Sequence, residues 1–472
     1  MAEHIKPIHP EKRDKTVTAD EHDSASDRRL LWKRDLVLIP ITGTLYMLLF
    51  LDRTYIANAC ALGVGTPNGL EGALNMPLNG YNVALAMFYI PFVLAEIPVN
   101  LLLVWNRIRP GYLLGGQMAI LASLPAGATY LISVYYTKKE AALRFAWFFN
   151  FALAGPLFSG LLAYAIQNID GAGGYQGWRW VFIIEVLMTV FISIFIISFC
   201  LNLPHQAQPW FLTPHERDRV IEKLEQSRGD ETKGSPADRI ALWKVLLDWR
   251  IHVSTLCFFC CDITASSISA FAPTILTELG WTRTVAQLMS MPIWATGIVS
   301  TFTLTWLSTR LHNCRAIVLL FSICLQLCGW GIEHAYVPQA GVRYLALFLM
   351  SAGTFLQMAI LMGWLSANLR GRKHLAVGMA WVTGFGNCAN FVSANVFIRH
   401  EAPRYPTGLT TGLVFTIAGF LLVCTFTAWL MWKNKQREVK RAKLSDAEKE
   451  RYDEVHHRFF SNLCTSRCTH GL

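Results

Sequence analysis

Apolar runs of about twenty residues recur along this chain, and they limit what it can fold into more than any motif does. They lie near 36–60, 81–105, 112–136, 143–168, 179–203, 250–277, 285–309, 315–334, 343–367, 374–398 and 409–432, eleven in all. Each can cross the ~30 Å hydrocarbon core of a bilayer as a helix rising ~1.5 Å per residue. Inside lipid the backbone must satisfy its own hydrogen bonds, so runs of this length specify helices packed on helices. The balance of the 472 residues agrees, with 53% hydrophobic and only 16% charged. The sequence predicts an all-α polytopic membrane protein whose first partner is the lipid bilayer.

Charge gathers in three polar segments: an N-terminal tail 1–34, a central loop 204–249 with helix-forming sequence from Pro214 to Gln226, and a C-terminal tail 433–472. They bound a helical bundle at 35–203 and a six-helix bundle at 250–432, which suggests two halves of a six-span repeat. Residues 1–34 carry eight Lys/Arg and seven Asp/Glu and no apolar core, so no cleaved signal peptide is expected. The net charge of +10 belongs to topology rather than to nucleic-acid binding, because basic residues flank apolar runs instead of alternating with aromatics in a patch. The positive-inside rule places both tails, the central loop and the turns holding Arg107/Arg109, Lys138/Lys139/Arg144, Arg310/Arg315 and Arg370/Arg372/Lys373 in the cytoplasm. Loop 61–80, with no Lys or Arg, falls outside.

This assignment conflicts with itself at one place. Arg107/Arg109 and Lys138/Lys139 both favour the cytoplasm, yet the chain between them, 111–136, supplies one crossing where two are needed. A re-entrant hairpin broken near Pro125, an inverted half, or the loss of a segment from a twelve-span chain would each explain it. Among the polar residues within the runs, Asp52 and Arg53 stand together two thirds of the way along the first. On insertion scales each costs roughly 2.5–3.5 kcal/mol at helix centre, so such residues mark a polar pathway by default. Cys257, Cys260 and Cys261 form a CxxCC cluster with no His beside it, which reads as packing, and no metal or cofactor is expected.

Several stretches resemble the major facilitator superfamily, and within it the anion:cation symporters of the fungal allantoate, nicotinate and pantothenate permease branch. They are Leu51-Asp52-Arg53-Thr54-Tyr55-Ile56-Ala57-Asn58-Ala59, Tyr89-Ile90-Pro91-Phe92 with Glu96-Ile97-Pro98-Val99-Asn100, and Gly177-Trp178-Arg179-Trp180-Val181-Phe182-Ile183-Ile184-Glu185. Phe271-Ala272-Pro273-Thr274-Ile275, Leu279-Gly280-Trp281 and Ala402-Pro403-Arg404-Tyr405-Pro406-Thr407-Gly408 complete the set, over about residues 30 to 435. The chain departs from the family's pattern at 111–136. Gly111 to Leu124 resembles the start of the third span, and Pro125 to Tyr130 continues in the style of the fourth span's second half, so an Arg- and Glu-bearing stretch is missing.

The resemblance implies a two-bundle fold around a central cavity and proton-coupled symport of a small carboxylate metabolite or vitamin by alternating access. It implies no enzyme activity, a monomer, and the fungal plasma membrane with both termini cytoplasmic. Such a symporter needs a base for the anion and an acid for the proton, coupled in free energy. Arg53 suits the anion, since its planar fork can make two charge-assisted hydrogen bonds to a carboxylate. Asp52, Glu96 and Asp262 are the candidate proton carriers. Asn387 and Asn390, three apart and hence on one helix face, with Asn150, Gln357 and Trp364, are candidates for the rest of the substrate. Each also has a packing reading, as a locked internal pair or a helix-helix hydrogen bond. Glu185, near a run boundary, reads as a partner for Arg179. Two competing functions stay open: a non-transporting paralogue or splice product lacking part of spans three and four, and proton-driven drug efflux. A membrane enzyme would need clustered His or paired acids, and no span holds two His at i, i+4.

Overall fold

The computed structural model describes residues 10–61, 69–77, scattered positions between 80 and 116, 124–167, 169–199, 203–204, 210–228, 245–310, 315–369, 372–397, 401 and 404–443. Helices account for nearly all of it. The first half supplies α1 (Pro10–Ala61), the short α2 (Leu70–Ala73), α3 (Leu124–Tyr135), α4 (Lys138–Gln167) and α5 (Gly177–Phe199), and α6 (Pro214–Arg228) follows in the central loop. The second half supplies α7 (Trp249–Glu278), α8 (Arg283–Arg310), α9 (Arg315–His334), α10 (Ala340–Asn368), α11 (Arg372–Gly386), α12 (Ala389–Val396) and α13 (Pro406–Ala442). Among the described residues nine helical stretches are long and apolar enough to cross a membrane, one for each expected run except 81–105 and 112–136. Those two lie largely outside the described residues, α3 covering the end of the second; the merging of spans at 111–136 falls there too.

Local chemistry sets the helix ends. Asp248 caps α7 by accepting the backbone N–H of Arg250 at 3.1 Å, and Gly280, at φ +99°, takes the left-handed conformation that stops it. Thr213 and Glu216 form a reciprocal capping box at the start of α6. That helix straps across the early turns of α1 through Lys33–Glu216 at 2.7 Å and the pair Arg219 and Lys223 on Asp27 at 2.8 and 2.7 Å.

In the first half α1 packs on α4 and α5. Gly155 permits the first contact, since a Cβ there would lie 2.7 Å from the Met47 carbonyl oxygen and 3.2 Å from Phe50 Cβ. Where α1 meets the start of α4, Arg144 grips Asp35 through Nη2–Oδ2 at 2.6 Å and Nε–Oδ1 at 3.1 Å. Beside it Arg34 donates to the Tyr135 carbonyl at 2.6 Å. In the second half α10 is the central post, touching α7, α8 and α9. The two halves meet along α4, which packs against α8 and α10, and along α3, which packs against α11. Gly363 permits a close approach between them, with a Cβ there falling 2.9 Å from Ala142 Cα.

The α9–α10 crossing is equally tight: a Cβ on Gly353 would strike the Ser322 carbonyl oxygen. Gly353→Leu is expected to cost about 1–3 kcal/mol through overpacking and to lower the melting temperature of the purified protein. Gly331→Ala, with open space around its Cβ, is expected to leave the melting temperature unchanged.

Candidate functional site

α5 is nearly all lipid-facing. Ile183, Val186, Leu187, Val190, Phe191, Ile194 and Phe195 are exposed, and a single line of residues, Val181, Glu185, Thr189, Ser193 and Ile196, is buried. The spacing of four follows from 3.6 residues per turn. Three of those five are polar, and the line turns toward the bundle where α1 lies. There Glu185 meets Asp52, each 9% exposed. The two carboxyls interact electrostatically, and neither Asp52 oxygen nor Glu185 Oε2 accepts a hydrogen bond from a described donor. Glu185 is thus not the partner of Arg179, whose guanidinium lies 5.2 Å from the Trp178 ring centroid instead. Arg53 follows Asp52 on α1; its side chain, like residue Glu96, lies outside what is described.

A second polar centre occupies the other half. Asp262, 2% exposed on α7, accepts from Asn390 Nδ2 at 2.7 Å. The chain delivers Asn390 by breaking one membrane-crossing stretch into α11 and α12, so that Asn387 sits at the break and donates to the Thr383 carbonyl at 2.6 Å. Asn390 Nδ2 also reaches the Asn387 carbonyl at 2.8 Å. Gly386 brings α11 onto α7 at that level, where an added Cβ would strike Phe258. Around this centre Trp330 Nε1 donates to Thr264 at 3.1 Å and the Cys261 thiol to the Thr354 carbonyl at 3.2 Å. Asp262 and the pair Asn387 and Asn390, read apart in the sequence, are therefore one network.

Of the remaining candidates, Gln357 borders the second centre through Gln326, which interacts with the Cys261 thiol. Gln357 accepts from Gln326 at 2.8 Å in a buried α9–α10 pair. Trp364 meets Phe426 edge to face at 5.0 Å and lines a small apolar pocket within the second half, with Cys257, Leu361 and Val423. Asn150 on α4 is half-buried, with its Oδ1 unpartnered among the described residues. The residue that sequence reasoning misplaced, Glu185, had a signal: an acid with hydroxyls four and eight residues on inside an otherwise apolar run.

Two bundles, each carrying a buried acid on its first long helix, invite comparison with known transporters. A sequence model described as Major Facilitator Superfamily matches residues 82–394. The chain belongs to the major facilitator superfamily. An uncharacterized transporter of Schizosaccharomyces pombe is 29% identical over 454 residues, covering 89% of this chain and 87% of its own. The fold is that of the proton:xylose symporter XylE, with a TM-score of 0.62, 15% identity, and coverage of 84% of this chain and 95% of that one. The human organic anion transporter MFSD10 aligns with a TM-score of 0.58 and 12% identity, over 83% of this chain and 99% of that one. This superfamily protein is accordingly a multi-pass membrane transporter of a small substrate and not an enzyme.

An ionic cluster closes the far end of the second half. Arg343, 5% exposed, donates to fully buried Glu333 at 3.0 Å and stands 4.0 Å from Glu278, just past the membrane-crossing part of α7. Burial raises the Glu278 carboxyl to about 7, against the opposing pull of Arg343. The folded state therefore binds this proton more tightly than the unfolded chain, and stability falls as pH rises from about 4.5 towards 7. Melting temperatures measured across that window are expected to decline in the parent and to flatten in Glu278→Gln.

Proposed function

We propose that this transporter is a proton-coupled symporter of a small organic anion, of the carboxylate class that includes nicotinate, pantothenate and allantoate. The observation that carries the reading is the Asp52–Glu185 pair, two buried carboxyls facing each other across α1 and α5 with no described donor on three of their oxygens. Two acids so placed cannot both hold a charge at low cost, so the pair keeps a proton whose retention depends on what else occupies the cavity. A carboxylate bound by Arg53 next to Asp52 would supply that dependence, since the substrate's charge and the proton's offset one another. Asp262 with Asn387 and Asn390 offers amide and carboxyl groups from the opposite half to the polar part of the substrate.

The finer assignment, to the anion:cation symporters and the fungal plasma membrane with both termini cytoplasmic, rests on the sequence motifs and the distribution of Lys and Arg. So does the reading of 111–136 as merged third and fourth spans, which leaves Glu185 as the acid that faces Asp52. That XylE, of the same fold, is a proton:xylose symporter accords with proton coupling.

The test uses the full chain in vesicles with labelled nicotinate, pantothenate and allantoate. For one proton per anion, an inward gradient of one pH unit is expected to drive about tenfold accumulation, because one unit is about 1.4 kcal/mol. Asp52→Asn and Glu185→Gln are expected to abolish accumulation while retaining exchange of labelled for unlabelled substrate. Accumulation that survives in both variants, or outward movement of substrate against proton entry, overturns the proposal.

A further inference from the structure

The buried line on α5 continues beyond the carboxyl pair. Thr189 and Ser193 are 5% and 4% exposed, and neither hydroxyl has a hydrogen-bond partner among the described residues. Many buried helical hydroxyls elsewhere donate to the carbonyl four residues back, as Thr42 does to Leu38 at 2.7 Å, Thr354 to Met350 at 2.7 Å and Thr383 to Met379 at 2.8 Å, whereas Thr301 and Thr305 on α8, like Thr189 and Ser193, have no partner among the described residues. Ser198, exposed on the same helix as Thr189, donates to the Ile194 carbonyl at 2.8 Å. Thr189 and Ser193 instead belong to the buried line that faces into the bundle, where α1 packs.

We infer that Glu185, Thr189 and Ser193 form a proton relay along the α1–α5 seam, leading from the Asp52–Glu185 pair towards the end of the bundle where Arg34 and Tyr135 lie. This inference rests on the proton-coupling reading above and names the route that reading requires. Its direction follows from the packing. α4 rises from Arg144 beside Asp35 to Gly155 beside Met47 and Leu51, and α5 returns antiparallel to it. Beyond α5 the chain brings Phe211 to within 6.0 Å of the Tyr135 ring.

Its spacing also fits. Residues four apart on a helix rise by about 6 Å, close to the span of two hydrogen bonds of about 2.8 Å through one water. Water is the co-reactant, and buried unpaired hydroxyls are the groups that hold it. In the first step a carboxylic O–H bond of Glu185 breaks, leaving its carboxylate, and a bond to the bridging water forms. That water passes one of its own protons to the Thr189 oxygen, and Thr189 releases its hydroxyl proton to the next water towards Ser193. Each hydroxyl and water ends with the protons it began with, and one proton has moved.

The experiment follows carboxyl protonation by infrared spectroscopy after a pH jump on the full chain reconstituted in bilayers, with no substrate present. Asp52→Asn and Glu185→Gln identify the carboxyl band of the pair. In Thr189→Val/Ser193→Ala that band is expected to titrate at an unchanged midpoint but to change about tenfold or more slowly, the rate equivalent of the lost hydrogen-bonding stations. Thr189→Ser, which keeps the hydroxyl, and Ser198→Ala, off the buried line, keep the parent rate. A merely structural role would move the midpoint or the melting temperature and not the rate alone. A band that responds at the parent rate in the double variant overturns the relay and leaves the coupling proposal standing. A parent with no band dependent on Asp52 or Glu185 overturns both.

Discussion

A polar group carried into hydrocarbon must find its partner inside the protein, and this requirement organises the bundle at every level. It turns Glu185, Thr189 and Ser193 inward and leaves the rest of α5 to lipid. It joins Asp262 to Asn390 across two helices, pairs Gln326 with Gln357, and holds Arg343 on Glu333. Helix association in a membrane gains little from hydrophobicity, because lipid tails are as apolar as the side chains. Close packing and these internal polar contacts therefore carry the specificity of the fold.

The close packing is concentrated at glycines. Gly155 sets α4 against α1, Gly353 sets α10 against α9, and Gly363 sets α10 against α4 across the two halves. The last is a contact between halves made without a bulky side chain, Gly363 lying directly on Ala142. Each half also keeps an ionic anchor where side chains reach the ends of the helices: Arg144 on Asp35 in the first, Arg343 between Glu333 and Glu278 in the second. The polar centres lie between these anchors, on the first long helix of each half.

Much of the architecture was legible in the chain because it depends on local composition. Nine of the eleven runs appear as membrane-length helices, and the other two lie mostly beyond the described residues. The sequence placed the helix of the central loop at 214–226, and it forms at 214–228, because Thr213 and Glu216 carry its capping signal locally. The site was legible only in part. Asp52 and Asp262 stood out as acids in apolar runs, but their partners could not be read from neighbours in sequence. Glu185 was assigned to nearby Arg179, whereas its partner is 133 residues away. Gln357 and Trp364 looked like ligands for a substrate, and the fold engages them with Gln326 and Phe426.

What the sequence determined by itself was the class of fold and the nine membrane-length helices seen among the described residues, since these follow from run length and helical rise. The tertiary structure decided which acids and amides meet. That choice turns on the rotation and crossing of helices, and so on contacts such as Gly155 against Met47 and Gly386 against Phe258 that join residues far apart in the chain. The facing of Asp52 and Glu185 is the product of that non-local packing.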